Sequence, residues 1–454
     1  MKICMPHLKW GLQTQKDGGG MRNLKQKRCL ICLLLCTATL LSGCQTDKKE
    51  KGDGIEKATY RDAFTEDEKT NGTAKFELME NVTVDAQITP AEKYRDGLKK
   101  YYMKHFFETE DLKNIHDFIK NPTLFGRKLT DTMDILSEKV GGKFSGKLTF
   151  DKYHNNDEEI GVRDAFQHKN GTPYRFYTYW YIEEKDPGSN KEINCPCMYL
   201  TLEEGKNKAL DAQIDYKITQ YLKDYKNMEI SFIKDKKKTG EELKEYLEKL
   251  IGRKLSDVWY CIPVTAESVA ALNKVDKFDI SEIKPEEEYC AYRYYYDVKG
   301  FPFTDSYLNY QLKEGETASE LARMSTPNNT LVGLCDSSIL CRISKDGIID
   351  LDTDNIRMDG DVYKKTKKVK VPDDILGRVR KYYEKQILTK PVTITEVRIV
   401  YTGYFTDGSE GEIQPTVAPF WRVRVYDGEA DGGKYFFYDA FTGEAIAEGI
   451  TAMG

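Results

Sequence analysis

The chain has 454 residues, of which 40% are hydrophobic and 31% are charged, so it can bury large cores and stay very soluble. This length predicts two or three domains. The formal net charge is −5; residues 1–43 contribute +6, which leaves −11 on the remainder and argues against nucleic acid as a partner.

The first predicted element, over residues 1–44, is a secretory signal. A basic cluster at 22–28 precedes an apolar run at 29–41, and Ser42 and Gly43 come next. Basic residues, a short apolar run and small residues before the cleavage point are typical of such a signal. The run is too short to span a bilayer comfortably, because a spanning helix takes about 20 apolar residues.

Residues 41–44, Leu-Ser-Gly-Cys, resemble a bacterial lipobox. The resemblance implies that Cys44 is diacylated and becomes the N-terminus, and that the remaining chain lies at the extracytoplasmic face of the cell membrane. An ordinary cleaved signal or an uncleaved anchor is the alternative. Met21 begins a more ordinary lipoprotein signal than Met1 does, so we interpret Met21 as the true start.

Three regions are predicted after the signal. Residues 45–81 are polar and highly charged, with little apolar surface to bury, and predict a flexible tether. We expect an N-terminal α+β domain over 82–275 and a second domain over 276–454, separated within the charged segment 273–288.

Helices and strands both occur in the predicted N-terminal domain. Thr89 and Pro90 suit the cap and first turn of a helix that would continue to about residue 107. A capping box from Thr239 to Glu242 starts another helix, which Gly252 ends. The other predicted elements are helices at 111–120 and 129–140 and strands at 147–150, 174–182 and 198–202.

The predicted C-terminal domain is rich in strands and has one clear helix. Pro372 starts this helix, and the carboxylates of Asp373 and Asp374 suit the dipole of its first turn. Its expected buried stripe consists of Ile375, Leu376, Val379, Tyr383 and Ile387. The predicted strands lie at 289–298, 307–312, 331–334, 339–343, 348–351, 397–401 and 421–425, and a hairpin leads to 434–439.

Arg422 and Arg424 alternate with Trp421, Val423 and Val425 along one predicted strand. Alternation places the three large apolar side chains on one face and the two arginines on the other. We therefore expect Trp421 in the core and the arginines on an outer, wet face, where they are our candidate surface for a partner.

Three C-terminal stretches resemble PepSY-like domains, above all the C-terminal part of the YycH/YycI regulatory proteins. They are 392–404, Pro-Phe-Trp-Arg-Val at 419–423, and Tyr-Asp-Ala-Phe-Thr-Gly-Glu at 438–444, where Gly443 suits the left-handed conformation of a tight turn. The resemblance covers 289–447 and implies an antiparallel sheet with a helix packed on one face. It also implies a non-catalytic protein that binds or regulates a protein partner at the cell envelope. Those regulators are anchored in the membrane by an N-terminal transmembrane helix, whereas this chain has the lipobox-like residues 41–44.

Six cysteines follow the signal, at positions 195, 197, 261, 290, 335 and 341. Cys335 and Cys341 flank a predicted turn and are our candidate disulfide, with two free thiols as the alternative. Cys195 and Cys197, separated by one proline, suggest a redox or zinc site, but no second close pair and no later histidine complete four ligands. We therefore expect structural cysteines and neither a metal nor a cofactor.

No pattern points to a catalytic residue. Asp350, Asp352, Asp354 and Asp361 have the spacing of a calcium loop, but Asn355 stands where that loop requires glycine. The sequence also contains no GxSxG, HExxH, Walker A or GxGxxG motif. We expect a non-catalytic protein, and an envelope enzyme of unrecognised type stays open as an alternative.

Two predicted strands, at 174–181 and 292–296, are rich in tyrosine. Such strands pack in sheet cores more often than they bind ligands, so we expect packing. A solute- or carbohydrate-binding lipoprotein that uses these strands is the other alternative to the partner-binding role.

Lipidation of Cys44 predicts that the protein partitions into a detergent phase. The variant Cys44→Ala lacks the acceptor sulfur, so it should be released from the membrane or accumulate as an unprocessed precursor. Phase partitioning and mass spectrometry of the N-terminus measure the two outcomes. An unmodified N-terminus downstream of Cys44 in membrane-bound protein would contradict the prediction.

Overall fold

The structure is a computed structural model that describes fourteen segments of the chain. They are 72–105, 110–112, 115–153, 159–184, 191–275, 278–304, 310–311, 317–318, 330–331, 338–353, 357–362, 366–407, 412–427 and 433–451. All of these residues belong to one unit, Ala58–Gly454, and none belongs to the other unit, Met1–Lys57. Cys44, the predicted signal and most of the predicted tether therefore lie outside the described residues.

The described elements form a mixed α/β fold with a large, mostly antiparallel sheet and few helices, in agreement with the predicted α+β class. The described helices are α1 Ile115–Lys120, α2 Leu129–Val140, α3 Lys208–Asp211, α4 Ile214–Tyr221, α5 Lys236–Ile251, α6 Ala266–Leu272 and α7 Pro372–Tyr383. The first twelve described strands are β1 Thr73–Met79, β2 Val82–Ile88, β3 Tyr101–His105, β4 Glu110–Leu112, β5 Thr123–Leu124, β6 Arg127–Lys128, β7 Gly142–Phe144, β8 Thr149–Tyr153, β9 Glu159–His168, β10 Pro173–Glu184, β11 Lys191–Leu202 and β12 Leu255–Val264. The other twelve are β13 Tyr289–Val298, β14 Phe301–Phe303, β15 Tyr310–Gln311, β16 Thr317–Ala318, β17 Thr330–Leu331, β18 Ser338–Ser344, β19 Gly347–Thr353, β20 Arg357–Val362, β21 Val392–Asp407, β22 Glu412–Tyr426, β23 Lys434–Asp439 and β24 Ala445–Thr451.

Two arrays of strands make up most of the large sheet. The first has the order β1–β2–β21–β22–β23–β24, in which only the pair β2–β21 is parallel. The second is antiparallel throughout, with the order β8–β9–β10–β11–β19–β18–β13–β12, and β7 lies beside β8 along the same side of β9. Strand β14 pairs with both β13 and β21 and so connects the arrays.

The predicted tether is wrong in its last part, because β1 belongs to the sheet. Ala74 and Leu78 of β1 are buried, and charged side chains alternate with them. Asn81, in the two-residue turn to β2, has a φ of +63°, a left-handed conformation that asparagine tolerates well. The missed signal was the two-residue period of apolar residues within a charged segment.

The helix predicted from residue 89 is also wrong. Pro90 is followed by a single 3₁₀ turn, Ala91–Lys93, and the chain then extends toward β3. Gly97 has a φ of +82°, and a Cβ atom there would lie 2.5 Å from the carbonyl oxygen of Lys367. This close approach lets Leu98 bridge to Lys367, so a long-range contact outweighs the local helical pattern.

Several predicted helix boundaries are confirmed. The α2 helix has the predicted bounds, and α5 ends at Gly252, whose φ is +68°. The start of α5 was misplaced, since Asp235 caps the helix by accepting a hydrogen bond from the Lys238 N–H at 2.9 Å. The Thr239 motif therefore lies one turn inside the helix.

The helix α7 packs its predicted stripe against the first array. Four of its predicted members are buried, but Ile387 lies beyond the helix end and is 95% exposed. Trp421 of β22 is fully buried, and its indole Nε1 donates a hydrogen bond to the Lys370 carbonyl at 3.0 Å. The ring of Tyr94 contacts Trp421 edge-on at 5.4 Å, so the prediction that Trp421 is a core residue is confirmed.

Strand pairs cross the predicted domain boundary at residues 275 and 276. Strand β2 pairs with β21, β11 pairs with β19, and β12 pairs with β13. A fragment that begins at residue 276 would lose all three of these strand partners. The division into two domains stays a prediction, to be tested on the whole chain and not on the fragment.

Removing the Trp421 side chain should destabilise the fold strongly. The variant Trp421→Ala is expected to lose about 3–5 kcal/mol of unfolding free energy, because it leaves a cavity under α7 and an unpaired Lys370 carbonyl. Chemical denaturation of the full chain measures this loss. Ile387→Ala, at an exposed position, is the control and should change stability by less than about 0.5 kcal/mol. Equal stability of the two variants would contradict the packing.

Candidate functional site

An open cavity of about 860 Å³ lies where α2, β7 and the turn between β9 and β10 meet. Its volume is within the range of about 300–1,000 Å³ that is typical of ligand sites. None of the site residues predicted from the sequence lines it. The residues that line it are Ser137, the segments 141–145 and 165–169, Gly171, Pro173, Tyr174 and Glu203.

Two consecutive glycines shape one side of the cavity. Gly141 ends α2 with a φ of +79°, and Gly142 begins β7 directly after it. A Cβ atom on Gly142 would lie 2.4 Å from the Phe166 ring and 2.5 Å from the Gln167 carbonyl oxygen, so only glycine lets β7 approach β9 this closely. This glycine pair is the sequence signal that marks the site.

The wall of the cavity is aromatic. The ring of Phe166 contacts Phe144 at 4.9 Å and Tyr174 at 5.6 Å, and both contacts are edge-to-face. The Tyr174 hydroxyl donates a hydrogen bond to the Ile348 carbonyl at 2.9 Å, which fixes the ring. Burial, with a smaller effect of Asp346, raises the pKa of Tyr174 to about 12, so this phenol stays protonated and does not act as a base.

The rim of the cavity carries more positive than negative charge. Lys143, Lys169 and Glu203 are its exposed charged side chains. His168 is buried, and its Nδ1 accepts a hydrogen bond from the Asn170 N–H at 3.3 Å, which requires that this nitrogen be unprotonated. The rim can therefore attract a carboxylate or another anion.

Ser145 is the one hydroxyl of the lining that donates to a carboxylate in the described part of the chain. Its Oγ donates to Asp164, and that carboxylate also accepts the N–H groups of Gly146 at 3.1 Å and Ala165 at 2.7 Å. Asp164 does not line the cavity, and its oxygens hold the backbone turn. This carboxylate therefore fixes the turn that places Ser145 in the cavity lining.

The expectation that Arg422 and Arg424 form an outer surface is wrong, because both are only 6% exposed. Arg422 donates from Nε and Nη2 to one oxygen of Glu396, at 2.9 and 2.6 Å. The Tyr260 hydroxyl donates to the other oxygen of Glu396 and accepts from Arg422 at 3.1 Å. Tyr260 belongs to β12, so the second array covers the face that the alternation had left open.

Arg424 contacts the C-terminal end of α4. Its Nη2 donates to the carbonyl oxygen of Thr219 and, at 2.6 Å, to the hydroxyl of Tyr426. Tyr426 in turn donates to the same carbonyl at 2.7 Å. A cation beside the last carbonyls of a helix interacts favourably with the helix dipole, which explains how this guanidinium is tolerated inside the protein.

The Glu396 carboxylate is held in its ionised form. Burial alone would raise its pKa, but Arg422 and Arg398 outweigh burial and lower the pKa to about 2. Nearby, the Lys226 ammonium lies over the Tyr260 ring, 4.8 Å from its centroid. Although Lys226 as a residue is exposed, desolvation of its ammonium end lowers the pKa to about 8, with Glu396 opposing the change.

The cysteine predictions are only partly within the described residues. Cys341 is buried in β18, and burial raises the pKa of its thiol to about 12. Cys335 lies outside the described residues, so the Cys335–Cys341 disulfide stays a prediction. Cys195 and Cys197 lie in β11 at an irregular register, where Cys197 pairs with Tyr179 but the next pair joins Asn194 to Tyr181. Proline inside a strand is commonly accommodated by such a bulge.

Of the carboxylates considered for calcium, the structure describes the side chains of Asp350 and Asp352 only. Asp350 is buried and pairs with Arg342, whose guanidinium also contacts Asp215 at 3.0 Å. Asp354 lies outside the described residues. Among the residues that the structure describes, no three His, Cys, Asp or Glu side chains are placed to hold a metal ion.

The tyrosine-rich strands differ in how far their rings are buried. Tyr292 and Tyr294 of β13 are fully buried and donate hydrogen bonds to the Lys236 and Gly240 carbonyls of α5. Packing is thus confirmed for that strand. In contrast, a second group of tyrosines on β10 and β11 is half-buried and stacked, and it consists of Tyr177, Tyr179 and Tyr199.

Comparison with known proteins gives no family. No family model matches the chain, and no curated protein matches it. A solved structure of an uncharacterized protein from Eubacterium rectale is similar, with 14% sequence identity and a TM-score of 0.48 over 82% of this chain and 93% of that one. A likeness at this level says nothing about function. In the described part of the chain, no helix is long and apolar enough to cross a membrane.

Loss of the Glu396 charge should change the acid sensitivity of the fold. The folded-state pKa of about 2 lies below the ordinary value of 4.5, so the charge stabilises the fold above pH 4.5 and this stabilisation is lost as pH falls toward 2. Glu396→Gln should cost about 3–5 kcal/mol at pH 7 and show a shallower loss of stability in acid.

An exposed ion pair provides the matched control. Asp85 pairs with Lys75 at 2.9 Å, and both side chains are more than half exposed. Asp85→Asn should therefore cost no more than about 1 kcal/mol and keep the wild-type acid profile. Urea denaturation between pH 2 and pH 7 distinguishes the two variants, and parallel profiles for Glu396→Gln and wild type would contradict the assignment.

Proposed function

We propose that this chain is a non-catalytic binding protein of the cell envelope, held at the membrane by a lipid on Cys44, and that its cavity binds a segment of a partner protein. The anchor and the location rest on the lipobox resemblance of residues 41–44. The observation that carries the binding role is the open cavity with an aromatic wall and a charged rim. Aromatic walls bind apolar side chains, and rim charges fix their orientation.

The strands beside the cavity support an extended protein segment as the ligand. Within the described segments, β7 and β8 pair only with β9, so the opposite edge of both strands has no described strand partner. The N–H and C=O groups of such an edge can pair with an added strand. A segment that binds there can place a side chain against Phe144 and Tyr174.

The charge of the rim indicates which segments would bind best. Lys143 and Lys169 outnumber Glu203, whereas the chain after residue 43 carries a net charge of −11. The cavity is thus a basic site on an acidic protein. We expect the partner segment to combine a carboxylate with an apolar or aromatic side chain, because opposite charges at a rim speed association and fix register.

The finer fold that we propose for residues 276–454 is PepSY/YycI-like. In its support, Tyr382 and Tyr383 of α7 contact the Phe436 ring of β23, and the buried Trp421 of β22 donates to the Lys370 carbonyl just before α7. Gly443 has a φ of +71° in the turn before β24. In proteins of the resembled kind, this arrangement is associated with regulation of an envelope partner, and we extend that role to this chain.

A second candidate function is the binding of a solute or carbohydrate, which the half-buried tyrosines favour. The rings of Tyr179 and Tyr199 stack at 6.2 Å, and those of Tyr177 and Tyr199 stack at 6.4 Å. Stacked rings on a sheet face suit the flat apolar face of a sugar. Protection of these tyrosines by soluble oligosaccharides, with none at the cavity, would favour this function over the first.

Site-specific crosslinking in native membranes tests the proposed function. A photoreactive amino acid in place of Lys143 should capture one defined envelope protein, because that position lies on the cavity rim. The same amino acid in place of Glu92, which is exposed and outside the lining, is the control and should not capture it. Capture of the same proteins from both positions, or from neither, would contradict the proposal.

Charge reversal tests the expected chemistry of the partner segment. With the photoreactive group at position 143, the change Lys169→Glu should lower the yield of the captured species about fivefold, since it places a carboxylate where an anion is expected. High salt should lower the wild-type yield in the same direction. An unchanged yield in Lys169→Glu would show that rim charge does not select the partner.

A further inference from the structure

Two cysteines that the proposed function does not use lie in contact on β12 and β13. Cys261 is opposite Tyr292, and Cys290 is opposite Pro263, so the two cysteines are diagonal neighbours on one face of the second array. Their Sγ atoms are 2.9 Å apart. A covalent bond between them would require a sulfur–sulfur distance of about 2.05 Å, a further approach of less than about 1 Å.

The two thiols differ in their surroundings. Cys290 is fully buried, whereas Cys261 is partly exposed. The hydrogen bond from Cys290, together with the charge of Lys236, lowers the pKa of Cys261 in spite of burial. Burial raises the pKa of Cys290 well above its ordinary value. An outer thiol that ionises first beside an inner thiol that stays protonated is the arrangement of an attacking and a resolving cysteine.

We propose that Cys261 and Cys290 form a redox-active dithiol, which a low-molecular-weight disulfide converts into an intramolecular disulfide between β12 and β13. In the first step the Cys261 thiolate attacks one sulfur of the small disulfide, forms a mixed disulfide and releases one small thiolate. In the second step Cys290 loses its proton and attacks the Cys261 sulfur, and the second small thiolate leaves. Both protein thiols are oxidised, and the small disulfide is reduced to two thiols.

The bond would join the two strands that flank the predicted domain boundary. Strand β12 precedes and β13 follows the predicted domain boundary, with α6 between them. Oxidation would therefore close residues 262–289 into a loop and fix the pairing of β12 with β13. Because a disulfide restricts the unfolded chain, the oxidised protein should unfold at a higher temperature than the reduced protein.

Oxidised glutathione tests the proposal on the full chain. After treatment under native conditions and peptide mapping without reductant, the peptides that contain Cys261 and Cys290 should be joined, with the loss of two hydrogens. Cys290→Ser should instead accumulate a glutathione mixed disulfide at Cys261, since the resolving thiol is missing. Cys341→Ser, which removes a buried thiol on the neighbouring strand β18, should leave the joined peptides unchanged.

Alkylation of the reduced wild-type protein gives a test that needs no variant. Iodoacetamide should modify Cys261 at least about tenfold faster than Cys290. Equal rates, two free thiols after prolonged oxidation of the folded protein, or a bond from either cysteine to a different partner would each overturn the proposal.

Discussion

The buried contact between Glu396, Arg422 and Tyr260 is the interaction on which the arrangement of the two strand arrays depends. Glu396 and Arg422 come from β21 and β22 of the first array, and Tyr260 comes from β12 of the second. Removing ions from water is costly, and the cost is offset only where the charges are paired and hydrogen-bonded. Here the Glu396 carboxylate accepts hydrogen bonds from Arg422 of the first array and from Tyr260 of the second. Separating the arrays would remove one of its donors while Glu396 and Arg422 remained together, so the contact favours one docking geometry over others.

Buried charged groups are also paired or hydrogen-bonded around α4. Arg342 of β18 pairs with Asp215 of α4 and with Asp350 of β19, and the Tyr289 hydroxyl donates to Asp215 at 2.7 Å. Arg424 contacts the opposite end of the same helix through Thr219. The helix is therefore fixed to both arrays by charged groups that are withdrawn from solvent. These buried charges serve the architecture, whereas the exposed rim charges and the aromatic wall occur at the far edge of the second array, beside β7.

The sequence predicts those elements whose determinants are local. The apolar stripe of α7 and the burial of Trp421 follow from periodicity, and the bounds of α2 and the strand β13 were also predicted correctly. The position of Arg422 was not predictable in this way. Alternation shows which side chains share a face, but it does not show that a strand distant in sequence covers that face. The cavity was missed for the same reason, because its wall and rim come from β7, β9 and β10 and from the segments that follow β9 and β11.

A double-mutant cycle between Tyr260 and Glu396 tests the central claim, that buried polar contacts join the two arrays into one cooperative structure. Tyr260→Phe removes the donor from the second array, and Glu396→Gln removes the charge from the first. Denaturant unfolding of the full chain should show a single transition, with a coupling energy between the two changes of about 0.5–3 kcal/mol. Additive effects within about 0.3–0.5 kcal/mol, or separate transitions for the two halves of the chain, would contradict the account.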